Sequence, residues 1–301
     1  MNAVFSRCLA LAAALGLSLA VSAQQDFSKV EVKTEKLNET TYMLVGAGGN
    51  LGLSVGEDAV YLIDDQYAPM TPRIQAAIAA ITPKPVKFVL NTHWHGDHTG
   101  GNENMGKAGA IIVAHENVRR RMDSEQFIQF FRMKVPRAPR VALPLVTFST
   151  DVTFHINGDE VRVFHVPAAH TDGDALVHFA RSDVVHMGDV FFNWMYPFID
   201  GDSGGTVEGV IAASDRVIAM TTDKTKIIPG HGPLANREDL RAYRDMLSTV
   251  LGRMKKMIQD GKKLEEIVAA KPTADFDAKW GGGFMKADKF VELLAVTLIK
   301  R

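Results

Sequence analysis

Apolar and polar positions alternate with a period of two through residues 30–64, in "KVEVKTEKL", "TTYMLVG" and "LGLSVGEDAVYLIDD". Successive strand side chains point to opposite faces, so the pattern predicts antiparallel strands with a turn at Gly56-Glu57-Asp58. The period then changes. Thr71-Pro72 has the form of a helix start, and Ile74, Ile78 and Ile81 fall on one helical face. "VKFVLNT" and "GAIIVA" are apolar runs of strand length, and residues 115–133 read as helical, with "FIQFFRM" (127–133) as a buried helix face rather than a lid.

The pattern restarts near residue 150. "VTFHINGDEVRVFHV" reads as a hairpin turning at Asn157-Gly158. "ALVHFAR" and "DVVHMGD" follow as strands, 207–221 as a helix and "TKIIPGHG" as a strand. Asn236 caps a long amphipathic helix carrying Leu240, Met246, Val250, Met254 and Met257, which ends at Gly261. Two successions of strands then helices, with no Pro/Gly/Ser-rich linker between them, predict one layered α/β domain of two similar halves, sheets inside and helices outside.

Composition changes the picture at the N-terminus. "MNAVFSRCLALAAALGLSLAVSAQQ" has a leader with Arg7, an apolar run from Cys8 to Val21 and the small residues Val21-Ser22-Ala23. This is the layout of a secretory signal peptide over residues 1–23, cleaved after Ala23, which leaves a domain at 24–301 and a periplasmic destination. The apolar run is short of the roughly 20 residues that a membrane span needs. Cys8, the only cysteine, would leave with the leader. The mature chain then has no disulfide, no thiol nucleophile and no thiolate ligand, so a metal must be held by His and carboxylate. The formal charge of −1 and the absence of a basic stripe point away from nucleic acid, and no later apolar run suggests a membrane. The expected partner is a small-molecule substrate, with no protein partner implied.

The chemistry concentrates in "NTHWHGDHTGG" (91–101), where His93, His95, Asp97 and His98 occupy six positions. Imidazoles and carboxylates at such density suit a divalent metal better than a core. Three more apolar strands end in metal-capable loops, at His170, Asp189 and His231. His115, His155, His165, His178 and His186 alternate with apolar neighbours or sit at a helix start, and are expected to be structural.

His-x-His-x-Asp-His, a distant His, the Asp of "MGDV" and the His of "PGHG" together resemble the metallo-β-lactamase superfamily, over about Asn50 to Pro233. The resemblance implies an αββα sandwich with two Zn2+ ions at one edge, other divalent metals such as Fe or Mn being open. His93, His95 and His170 would hold the first metal, Asp97, His98 and His231 the second, and Asp189 would bridge them. Asp64 would brace the ligand loop, with Asp65 standing where many members carry Thr. A metal-bound hydroxide would attack a carbonyl carbon, with Asp97 as the catalytic residue that orients it.

The resemblance is to a superfamily of several activities. Against the secreted β-lactamase branch, Asp189 replaces a Cys ligand, His98 is present where that branch usually lacks it, and Phe192 stands where a Lys grips the substrate carboxylate. The ligand set is closer to glyoxalase II and the lactonases, but export argues against a glutathione thioester. An exported hydrolase of cyclic amides with β-lactamase activity is the leading expectation. A lactonase, esterase or thioesterase on the same centre is the alternative, and a mononuclear iron sulfur dioxygenase or a non-catalytic binding protein stands further off. "FFNWMYPF" (191–198) offers Trp194 and Tyr196 as a substrate wall or as core. "GAGGNLG" (46–52) resembles the family's hairpin over the site, with Asn50 facing substrate, or is an ordinary turn.

Overall fold

A computed structural model describes residues 26–299 of the chain. The expected leader, 1–23, lies outside them. Strands β1 (Lys33–Lys36), β2 (Thr41–Val45), β3 (Leu51–Val55) and β4 (Val60–Ile63) form an antiparallel meander. The chain crosses through α1 (Thr71–Ala79) to β5 (Val86–Asn91), which runs parallel to β4. Short helices α2 (Gly96–Thr99) and α3 (Asn102–Lys107) lead to β6 (Ile111–His115), parallel to β5. After α4 (Glu116–Met122) a small hairpin, β7 (Gln126–Ile128) and β8 (Met133–Val135), leaves the sheet before β9 (Val146–Phe148) returns to pair with β6.

The second sheet begins with β10 (Asp151–Ile156) and β11 (Asp159–His165). Their turn sits at Asn157 and Gly158, both with positive φ (54° and 74°), as a two-residue primed turn requires. Strands β12 (Ala175–Phe179) and β13 (Val184–His186) follow, then α5 (Val207–Met220) and β14 (Lys226–Ile228), parallel to β13. Helix α6 (Arg237–Gln259) opens with a reciprocal capping box between Asn236 and Asp239, and Gly261 stands just past its end at φ 76°. Helices α7 (Leu264–Ala269), α8 (Asp277–Trp280) and α9 (Ala287–Ile299) complete the chain.

Period-two alternation gives each sheet two apolar faces. Met43, Tyr61, Leu90 and Val113 pack against Val161, Val163, Val177 and Ile228 in a layer between the sheets. Leu44, Leu53, Leu62 and Val89 face Ile74 and Ile78 of α1 and Met105 of α3. On the other side Leu176, Val185 and Ile227 face Val210 and Val217 of α5 and Leu240, Tyr243 and Met246 of α6. Helices, sheet, sheet, helices is therefore the αββα order expected from the sequence.

One expectation fails. Residues 115–133 are not one helix: α4 stops at Met122, and 126–135 is a hairpin whose connection includes Arg132 at φ 50°. Phe127, Phe131 and Met133 are exposed instead of forming a buried helix face. Aromatic and β-branched residues suit a pleated strand as readily as a helix, and contact decides it, the Phe131 ring meeting Phe198 at 4.8 Å.

Candidate metal centre

The loops that leave β5, β11, β13 and β14 converge on one edge of the sandwich. His93, His95, His170 and Asp189 offer ligand atoms within 4.8 Å of one another, and Asp97, His98 and His231 do the same beside them. Asp189 faces both groups. Its Oδ1 lies 3.0 Å from His98 Nε2 and 3.4 Å from His231 Nε2, while Oδ2 lies 3.8 Å from His93 Nε2 and 3.7 Å from His170 Nε2. One carboxylate thus presents one oxygen to each cluster. Asp97 Oδ2 adds a contact to His231 Nε2 at 3.2 Å.

Four of the five rings are turned by a partner behind them. Asp64, fully buried, accepts from the Thr92 backbone N–H (2.8 Å), the Thr92 hydroxyl (2.8 Å) and His98 Nδ1 (2.7 Å). With its proton given to Asp64, Thr92 Oγ1 accepts from His93 Nδ1 at 3.0 Å. His170 Nδ1 donates to the Phe198 carbonyl at 2.8 Å, and His95 Nε2 donates to Asp200 at 2.9 Å. Such partners fix the tautomer and aim the other nitrogen inward. The backbone closes in as well: a Cβ on Gly49 would lie 2.1 Å from His98 Cε1, and one on Gly230 would lie 2.1 Å from Asp189 Oδ1. Asp200 was invisible as a functional residue in the sequence; its only signal was a carboxylate in the Gly-rich stretch "DGDSGG" (200–205). Asp200→Ala is expected to weaken metal binding by about 10- to 100-fold, measured by competition with a chromophoric chelator.

The donor set fits divalent metal on two further observations. His93 Nε2 is buried and has no hydrogen-bond partner among the described residues, a costly condition for a polar atom unless something binds it. His95 Nδ1 and His170 Nε2 face each other at 2.9 Å. With His95 Nε2 turned to Asp200 and His170 Nδ1 to the Phe198 carbonyl, these two facing nitrogens are the ones left to hold a cation.

The two groups differ in proton affinity. Burial drives His170 down to about 4 and His93 well below its usual range. Burial also opposes charge on His231 and His98, but the carboxylates of Asp189 and Asp97 outweigh it and hold His231 up at about 9 and His98 well above normal. Near neutral pH His93 and His170 are ready for metal, whereas His98 and His231 must first lose protons. Zinc uptake there is expected to release up to about two protons near pH 7 and to weaken as pH falls. The His231 contribution to that release vanishes as pH rises through about 9, where its proton is already gone. Calorimetric titrations in buffers of different ionisation heat would read this; a proton count constant across that range would contradict it.

A cavity of about 680 Å³ opens onto the centre, lined by His95, Asp97, Asp189 and His231 and by an apolar wall including Ile128, Phe131, Met133, Phe198 and Phe284. Lys134 is the one lysine or arginine lining it among the described residues. The wall is not the one offered by Trp194 and Tyr196. Tyr196 is core, stacked on Phe290 at 4.8 Å with its hydroxyl donated to Asp277 at 2.7 Å, and Trp194 is exposed away from the cavity. Asn50 does not face substrate either. Its Nδ2 donates to the carbonyls of Pro229 and Gly232, pinning the 46–50 turn to the His231 loop. Three of the remaining histidines are satisfied structurally: His186 Nε2 meets the Asn50 carbonyl, His165 Nδ1 meets the Asp174 carbonyl, and His115 stacks on His165 at 3.9 Å, whereas His155 is exposed and His178 Nδ1 is buried with no hydrogen-bond partner among the described residues.

Several known proteins are similar to this chain. The chain is similar to a hydroxyacylglutathione hydrolase of Pelagibacter ubique, 26% identical over 150 residues, covering 48% of this chain and 52% of that one. It therefore spans about half the length of this curated relative. Among solved structures, a metallo-β-lactamase from Pontibacter korlensis matches at TM-score 0.59 and 20% identity, over 72% of this chain and 99% of that one. A stereoselective inverting sec-alkylsulfatase from a Pseudomonas species matches at TM-score 0.65 and 16% identity, over 88% of this chain and 50% of that one. At these identities the structures share the fold. The family model described as the metallo-beta-lactamase superfamily matches residues 40–231, well over half of the chain, and that span holds all seven clustered His and Asp residues. The chain belongs to the metallo-β-lactamase superfamily.

Proposed function

We propose that this chain is an exported binuclear zinc hydrolase that opens a cyclic amide, a β-lactam being the specific substrate class. The observation that carries the binuclear reading is Asp189, one oxygen toward each cluster of ligands. Two zinc ions bound there would supply Lewis acidity and a water acidified toward about 7. The chain supplies the rest. Asp97, which lines the cavity with Oδ2 3.2 Å from His231 Nε2, is placed to orient the attacking water and accept its proton. Burial disfavours its charge, but His98 and His231 outweigh that and hold its carboxyl at about 2, so it enters the reaction ionised. Asp64, Thr92 and Asp200 keep the rings fixed while charge moves.

Lys134 at the cavity lining, loosely paired with exposed Glu125 at 3.4 Å, supports binding of an anionic ring substituent in place of the missing cation at Phe192. Phe192 itself stacks on His231 at 5.1 Å. The signal-peptide-like pattern of residues 1–23 and the lack of any cysteine beyond Cys8 support export. A second reading, hydrolysis of a lactone, ester or thioester on the same centre, is favoured by the mostly apolar cavity and by the hydroxyacylglutathione hydrolase likeness. Turnover of a chromogenic cephalosporin by the zinc-loaded protein, with Asp97→Asn as control, separates them. Zinc-dependent turnover that the control loses supports the first; no turnover by a folded, fully zinc-loaded protein, with hydrolysis of a matched lactone, would replace it by the second.

A further inference from the structure

We propose that the β7–β8 hairpin is an acyl-group wall, and that the natural substrate carries an extended apolar acyl substituent seated between Ile128, Phe131 and Met133 on one side and Phe198 and Phe284 on the other. The wall begins at the metal ligands without a polar break. The Phe198 ring lies 5.8 Å from the His95 ring and 4.8 Å from the Phe131 ring, and the Phe284 ring lies 6.4 Å from the His231 ring. The cavity's size, about 680 Å³, suits an organic group far larger than a reacting ring. Phe131 and Met133 are each 45% exposed and Phe284 is 55% exposed. Three large apolar side chains from two distant segments leave this much surface facing one cavity, where a purely structural role would have buried them. Lys134, also on the hairpin, is the only lysine or arginine in the lining among the described residues, so the substrate's charged group sits beside it and the rest of the wall receives hydrocarbon.

The inference deepens the hydrolase reading and rests on it for its rate measurement alone; a binding measurement stands apart from it. The first experiment compares kcat/KM of the zinc-loaded protein on acylaminopenicillanic acids whose acyl group lengthens from acetyl through butanoyl and hexanoyl to octanoyl. Each added methylene is expected to raise it about fourfold, the roughly 0.8 kcal/mol of a buried methylene at about 1.4 kcal/mol per decade. The second uses the metal-free protein and follows displacement of anilinonaphthalene sulfonate by butanoate, hexanoate and octanoate, where the same dependence on chain length is expected. Phe131→Ser and, from a separate segment, Phe284→Ser should flatten both series. Phe127→Ser, on the same hairpin but outside the cavity lining, should leave both slopes intact. No β-lactam turnover together with a steep binding series keeps the wall and removes the reaction. A flat series in the unmodified protein, in either experiment, overturns the wall.

Discussion

Replacing Asp189 by Asn is expected to lower turnover by more than about a hundredfold and to cut bound zinc from about two ions per chain to about one or fewer. Loss of a partner behind a ligand typically costs 10- to 100-fold, and Asp189 stands in front of the rings, not behind them. Its two oxygens lie 3.0–3.8 Å from four imidazole nitrogens, two in each cluster. Asn keeps the volume while losing the charge and one of the two acceptor oxygens, so collapse of the pocket would not explain the result. Metal content by atomic emission, read beside the rate, is the check. A variant that retains both zinc and activity would sink the shared-carboxylate model and leave a centre in which one metal suffices.

The largest stability effect belongs to Asp64, which need not touch metal at all. It is fully buried, sits at φ 59° and accepts three hydrogen bonds, from the Thr92 N–H, the Thr92 hydroxyl and His98 Nδ1. Asp64→Ala strands all three donors inside the fold. Each unsatisfied buried group costs about 1–3 kcal/mol, and breaking a buried charged pair costs about 3–5 kcal/mol, so a loss of roughly 3–5 kcal/mol is expected after local relaxation. In a chain of this size that lowers Tm by on the order of 10 °C. Differential scanning calorimetry of the metal-free variant against the metal-free parent isolates the effect from zinc. A shift of about a degree or less would mean that water replaces the carboxylate and that the brace is dispensable.

Much of this site could be read from sequence because each of its side chains stands where an apolar strand gives way to a polar loop. Parallel neighbours such as β4, β5 and β6 end at one edge, so residues distant in the chain, His93 and His231 among them, arrive together. Asp200 gave no such signal. It follows no regular strand, and its importance comes wholly from lying 2.9 Å from His95, a contact that no local pattern encodes. The 126–135 segment misled for the opposite reason. Its spacing of Phe127, Phe130 and Phe131 satisfies a helical period, yet the ring of Phe131 finds its partner in Phe198, far along the chain. Trp194 and Tyr196 show the same limit: two aromatics two positions apart, one exposed and one sealed in the core by Phe290.

The centre is also a seam. His93 and His95 follow β5 of the first sheet, while His170 and Asp189 follow β11 and β13 of the second; Asp97 and His98 meet His231 across the same divide. Every metal bound there ties the two sheets together, and its binding free energy is added to whatever the apolar layer between them supplies. At a free zinc concentration a hundredfold above the dissociation constant that addition is about 2.7 kcal/mol per site, provided the unfolded chain binds none. The margin within which the sheet-to-sheet core can vary would then be set partly by the supply of the bound metal where the protein folds. A substitution in that core that is harmless where the metal is plentiful is expected to become a folding defect where it is scarce.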